Sequence, residues 1–155
     1  MSVGTRHLAA VDLLNQLLFQ LDRANYHLRT ESPLTLPEDG EPLPDAVILH
    51  GGSTRWIGAD RYPLPADVVC VFEAASSSLV IDRGAKLEDY ALDRIPLYVI
   101  VNLVEDQVEV YTQPSGDRFA ESHVLRAGDT LTIPLDNDDT LSVPVADLLP
   151  QPSSR

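Results

Sequence analysis

Lysine is almost missing from this chain. Of the eleven basic residues, ten are arginine and one is Lys86. Cysteine is equally scarce: Cys70 stands alone inside an apolar run, which excludes a disulfide framework and suits a reducing cytoplasm. No apolar run approaches the roughly 18 residues a membrane span needs. Positive charge is short overall. With a net charge of −13 the chain has no general attraction for nucleic acid or anionic lipid. Any action on DNA must rest on a local basic patch or on metal ions. Repeats are absent, and the low-complexity stretches are short: Ser76–Ser78, Asp136–Asp139 and the tail after Pro150.

What is present suits one folded domain over 1–150 with a short tail at 151–155. The 155 residues are 44% hydrophobic, enough for a sizeable core. The opening segment carries Leu8, Val11, Leu14, Leu17, Leu18 and Leu21 at helical spacing and predicts an amphipathic helix over 5–24, not a signal peptide. Strands are expected at 26–31, 45–50, 67–75 and 97–103, with a long polar connection at 51–67 and a helix over 82–93. The continuous apolar run Val68–Phe72 predicts a central strand covered on both faces. QVEVYT is the hairpin partner of the 97–103 strand, and further short strands follow. The order predicts an α/β or α+β fold with a mixed sheet.

Two carboxylates sit where carboxylates are expensive. Glu73 closes the apolar strand, and Asp45 opens another. Strand alternation places Val69, Val71 and Glu73 on one face, and Asp45 with Val47 and Leu49. If the strands are neighbours the two carboxylates converge, and with phosphate oxygens and water they suit Mg²⁺. Asp82, Lys86 and Tyr90 fall at i, i+4 and i+8, along one side of the next helix. Near a metal, an ammonium can orient water or neutralise phosphate, and unlike guanidinium it can lose its proton. Simpler readings compete. Lys86 and Asp82 can form a surface pair, Glu73 can be solvated at the sheet rim, and Asp45 after Pro44 can start a strand. The serines read as loop and cap residues; no nucleophile elbow is visible. His7, His27, His50 and His123 are scattered without ligand spacing and read as structural or surface residues. Trp56 and Tyr62 read as packing for the long connection.

The ordered series Pro44-Asp45, FEAASSSLVIDRGAKLEDYALDRIPLYVIVNL and VEVY resembles the Uma-type restriction endonucleases of the PD-(D/E)XK nuclease superfamily. The resemblance spans about residues 7–149. It implies a restriction-endonuclease-like core, a mixed sheet flanked by helices, and Mg²⁺- or Mn²⁺-dependent hydrolysis of phosphodiester bonds in DNA. By position, Asp45 and Glu73 match the metal-binding carboxylates, with a backbone carbonyl at Ala75. Lys86 matches a catalytic lysine displaced to the helix, and Asp82 and Tyr90 match its supports. Arg55, Arg61 and Arg83 are the nearest candidates for phosphate contacts. The sequence departs from the family pattern at Ser76, where an Asp is usual, and at Leu97-Tyr98-Val99, where Glu-Tyr-Trp is usual. It also begins almost at the first helix, without the acidic stretch many members carry before it. A catalytically silent nuclease fold acting as a homodimeric assembly subunit is the alternative expectation.

Overall fold

The computed structural model of the protein describes residues 4–151; the rest of the tail lies outside the described residues. Helix α1 spans Thr5–Gln16 and continues as a 3-10 turn over Leu17–Gln20. It is shorter than the spacing predicts. The Asp22 carboxylate accepts from the Ala24 amide and the Asn25 side chain, and its carbonyl accepts from the amides of Asn25 and Tyr26. That local turn takes the backbone out of the helix. Ala10, Val11, Leu14 and Leu17 form its buried side.

Six strands follow in spatial order: β1 (Tyr26–Thr30), β2 (Ala46–His50), β3 (Val68–Ala75), β4 (Leu97–Asn102), β5 (Gln107–Ser115) and β6 (Arg118–Leu125). Only β3 and β4 are parallel. Parallel neighbours need a crossover, and here α3 (Leu79–Arg83) and α4 (Ala85–Leu92) supply it. The sheet is thus mixed and flanked by helices. Every residue of β3 and β4 is buried, as expected for strands covered on both faces. One face packs on α1 and on a second, two-stranded sheet of β7 (Thr130–Pro134) and β8 (Thr140–Pro144). The other packs on Leu34, Leu36, Trp56, Tyr90 and Ile95.

Three local departures from the sequence expectation have physical causes. First, the register between β2 and β3 shifts next to Leu49, so Val69 turns to the α1 face while Val71 stays on the other. A bulge breaks strict alternation. Second, the expected helix over 82–93 is two helices broken at Gly84 (φ −107°, ψ −100°). A side chain there would place its Cβ 2.9 Å from the Val80 carbonyl oxygen, so only glycine fits this close approach. Third, the long connection contains a short helix, α2 (Ser53–Ile57), whose Trp56 is fully buried and donates from its indole to the His50 carbonyl at 2.7 Å.

The break at Gly84 is pinned by Arg83. Its guanidinium binds the Glu109 carboxylate of β5 through Nε at 2.9 Å and again through Nη2. Asn102, Gln107 and Tyr111 also donate to Glu109. Burial alone would raise this carboxyl, but the donors outweigh it and hold it down at about 2, against an ordinary 4.5. A depressed carboxyl contributes stability that is fully present above the unfolded value and is lost as pH falls towards about 2. Glu109→Gln is therefore expected to cost on the order of 3 kcal/mol at pH 7. Urea unfolding at pH 7 and pH 3 reads this out. The cost should shrink at the lower pH, and an equal cost at both would remove the charge explanation.

Candidate active site

The carboxyl ends of β3 and β4 and the start of β2 meet at one end of the sheet. Asp45 immediately precedes β2, and its backbone amide donates to Glu73 Oε1 at 3.2 Å. In return the Ala74 amide donates to Asp45 Oδ2 at 2.7 Å. The two carboxylates are thus tied together by each other's strands. Glu73 is 1% exposed, which excludes the solvated-rim reading. Its second oxygen accepts from Lys86 Nζ at 3.0 Å and from the Tyr90 hydroxyl at 3.0 Å.

The crossover delivers these partners despite its break. Lys86 also lies 3.4 Å from Asp82 Oδ1 across one helical step. Asp82 is 1% exposed, its other oxygen accepts from the Ser78 hydroxyl at 2.7 Å, and its carbonyl accepts from Tyr98 at 2.8 Å. Lys86 is a third exposed and reaches in from the rim, so it is not a simple surface pair.

The charge balance is unusual. Glu73 and Asp82 share one ammonium, and Asp45 stands beside Glu73. Burial, with Asp45 and Asp82 adding to it and Lys86 opposing, pushes the Glu73 carboxyl up to about 7. Burial also raises Asp45, against the Ala74 amide, His7 and Lys86. Burial on its own would lower Lys86, but Glu73 and Asp82 hold it above its ordinary value. Burial and the adjacent Glu73 raise Tyr90, which stays a hydrogen-bond donor.

His7 is the residue the sequence reading passed over. From α1, its Nδ1 donates to the Ala74 carbonyl at 3.0 Å, and its Nε2 stands 3.4 Å from Asp45 Oδ1. With Nδ1 donating to that carbonyl, Nε2 is the ring nitrogen turned towards Asp45. No spacing signal could have found it, because α1 reaches β3 only through the tertiary fold. The carbonyl facing the site is also Ala74's. That of Ala75, the expected ligand, accepts from the Leu103 amide at 2.8 Å within the sheet.

The three arginines do not line this site. Arg83 is bound to Glu109, and the pairing of Glu73 with Ile100 and of Ile100 with Glu109 puts it two strands away, about 10 Å. Arg55 and Arg61 bind Asp67 at 3.3 and 2.9 Å, at the opposite end of β3. Among the described residues, no group of three or more His, Cys, Asp or Glu side chains is placed to hold a metal ion unaided. No helix among them is long and apolar enough to cross a membrane.

Comparisons with known proteins agree with this architecture. The crystal structure of a "putative nuclease belonging to DUF820" from Anabaena variabilis superposes with a TM-score of 0.65 at 18% identity, covering 96% of this chain and 82% of that one. No curated protein matches the sequence. The Uma2 family, described as "Putative restriction endonuclease", matches residues 1–146. With that span of 155 residues matched, the chain belongs to the Uma2 restriction-endonuclease-like family.

Proposed function

We propose that this protein is a divalent-cation-dependent nuclease that hydrolyses phosphodiester bonds in DNA at the Asp45–Glu73–Lys86 site. The observation that carries the reading is Glu73 itself. A carboxylate buried at the end of a central strand beside two other carboxylates is costly without a cation. The donor set fits Mg²⁺ or Mn²⁺. Asp45 and Glu73 offer hard oxygens and the Ala74 carbonyl faces the same space, while His7 Nε2 points at Asp45. One or two carboxylates, with water and substrate oxygens completing the shell, are the usual holders of Mg²⁺. Bound there, the ion supplies Lewis-acid polarisation of phosphate and a more acidic water.

The chain's own groups have separate tasks. The Ala74 amide fixes Asp45 through Oδ2 and leaves Oδ1 available. Tyr90 orients Glu73 by donating to Oε2. Asp82, itself held by Ser78, keeps Lys86 charged and aimed at Glu73. A lysine held protonated stabilises negative charge growing on the phosphate rather than acting as general base. The strongly acidic surface supports a second reading, a catalytically silent homodimeric assembly subunit.

Cleavage assays on double- and single-stranded DNA with Mg²⁺ or Mn²⁺ separate the two. Lys86→Ala is expected to slow cleavage about a hundredfold or more. Lys86→Arg, which keeps the charge, is expected to retain more activity than Lys86→Ala. Equal cleavage by wild type and Lys86→Ala would sink the site. No cleavage with any metal, from a stable dimer, would favour the assembly reading.

A second expectation concerns pH. Glu73 is raised to about 7 when folded, against an ordinary 4.5. The folded state therefore holds the extra proton between these values. Its contribution is fully present below about 4.5 and is lost as pH rises through about 7. In a chelating buffer, urea unfolding should show stability falling between pH 5 and pH 8. Glu73→Gln should flatten that slope, and Mg²⁺ should raise wild-type stability more at pH 8 than at pH 6. A flat wild-type profile would contradict the burial of an ionising Glu73.

A further inference from the structure

Around Trp56, three of the ten arginines gather on one ring. Arg55, Arg61 and Arg29 hold their guanidinium carbons 4.7, 5.3 and 5.6 Å from the centroid of Trp56. Such stacking stabilises a cation but does not neutralise it. Asp67 takes up two of the three, Arg55 and Arg61. Arg29, partly buried on β1, donates instead to the Trp56 carbonyl, and among the described residues no carboxylate lies within ion-pair distance of it. Arg29 and Arg61 both line a cavity of about 530 Å³ together with Ala59, Asp60 and Tyr62. Counting Asp60 and Asp67 against the three arginines leaves a local excess of one positive charge, in a chain whose net charge is −13.

This cluster lies apart from the carboxylates. Val68, where β3 begins, pairs with Leu49, whereas Phe72 pairs with Ala46 beside Asp45. Three residues of β2 separate these two pairings, about 10 Å, and Arg29, opposite Val47 on β1, reaches across to the Trp56 carbonyl.

We infer that this cavity binds the phosphate of a nucleotide unit. A planar guanidinium fork matches a phosphate oxyanion in two parallel hydrogen bonds. Arg29 is already fixed by its carbonyl and by the Trp56 face, so little freedom is lost on binding. Arg61, 46% exposed, closes the other side. Tyr62 is also 46% exposed and presents a ring on which a base can stack. The cavity volume falls in the range of small-ligand sites. This binding does not depend on whether the carboxylate site cuts DNA.

Trp56 is the only tryptophan and forms the back of the cluster, so its emission reports on the site directly. The full chain is titrated in chelating buffer at fixed ionic strength with inorganic phosphate, a nucleoside monophosphate and a short single-stranded oligonucleotide. The nucleoside monophosphate is expected to give a saturable change, bound roughly tenfold or more tighter than inorganic phosphate, given the added base stacking. Arg29→Gln should weaken it by about tenfold or more. Because Arg29 also holds the Trp56 carbonyl, Tyr62→Ala serves as the variant with an intact interior; it should weaken the nucleotide and leave inorganic phosphate unchanged. An oligonucleotide that binds tighter than the monomer identifies a strand as the source of the phosphate, and equal binding identifies a free nucleotide. Glu73→Gln should bind as wild type does, which keeps this outcome separate from that of the nuclease reading. No saturable change with any phosphate compound overturns the inference, as does equal binding by wild type, Arg29→Gln and Tyr62→Ala. Inorganic phosphate bound as tightly as the nucleotide overturns the nucleotide assignment.

Discussion

Glu73 has to be buried at the end of the central strand, next to two other carboxylates, and the arrangement around it follows from that constraint. An isolated buried carboxylate is among the most costly groups a fold can hold. Here the cost is met by one ammonium, one phenol and one backbone amide, which together occupy both oxygens. They do not fully offset it, because Asp45 and Asp82 press on the same space and leave the Glu73 carboxyl near 7. The residual imbalance gives the site its appetite for positive charge.

Glu109 supplies the contrast within the same sheet. It shares a row with Glu73, with Ile100 between them, and it is equally hidden from solvent. Four side chains donate to it and one of them is a guanidinium, so it stays ionised down to about 2. Two buried glutamates in one row of the sheet thus differ in donor supply and in the carboxylates that crowd only one of them. The saturated one locks the crossover helices to β5. The undersupplied one sits near the carboxyl end of β3, beside Asp45 and Lys86.

Much of this was readable from the sequence, and the parts that were not share a cause. Apolar runs at 68–72 and 97–101 marked the central strands, because strands buried on both faces cannot alternate. The spacing of Asp82, Lys86 and Tyr90 brought Lys86 and Tyr90 to Glu73, with Asp82 behind Lys86, even though Gly84 splits their helix. Alternation failed at Val69, where a bulge added a residue, and the carbonyl facing the site moved from Ala75 to Ala74 because the ladder claims the former. His7 and the three arginines were placed wrongly or not at all. Their positions depend on which end of the sheet α1, α2 and α3 reach, which is settled by packing between distant segments rather than by local pattern.

The single parallel pairing of β3 with β4 has one more consequence. Every other neighbouring pair in the six-stranded sheet is antiparallel. The parallel pair can close only after the chain has travelled through the serine turn, α3 and α4 and come back. That same excursion carries Asp82, Lys86 and Tyr90. The hairpins β4–β5 and β5–β6 close through short turns, whereas β3 and β4, like β1–β2 and β2–β3, pair residues far apart in sequence, so the site belongs to the non-local half of the sheet. The two carboxylates thus meet Lys86 and Tyr90 only by way of that excursion.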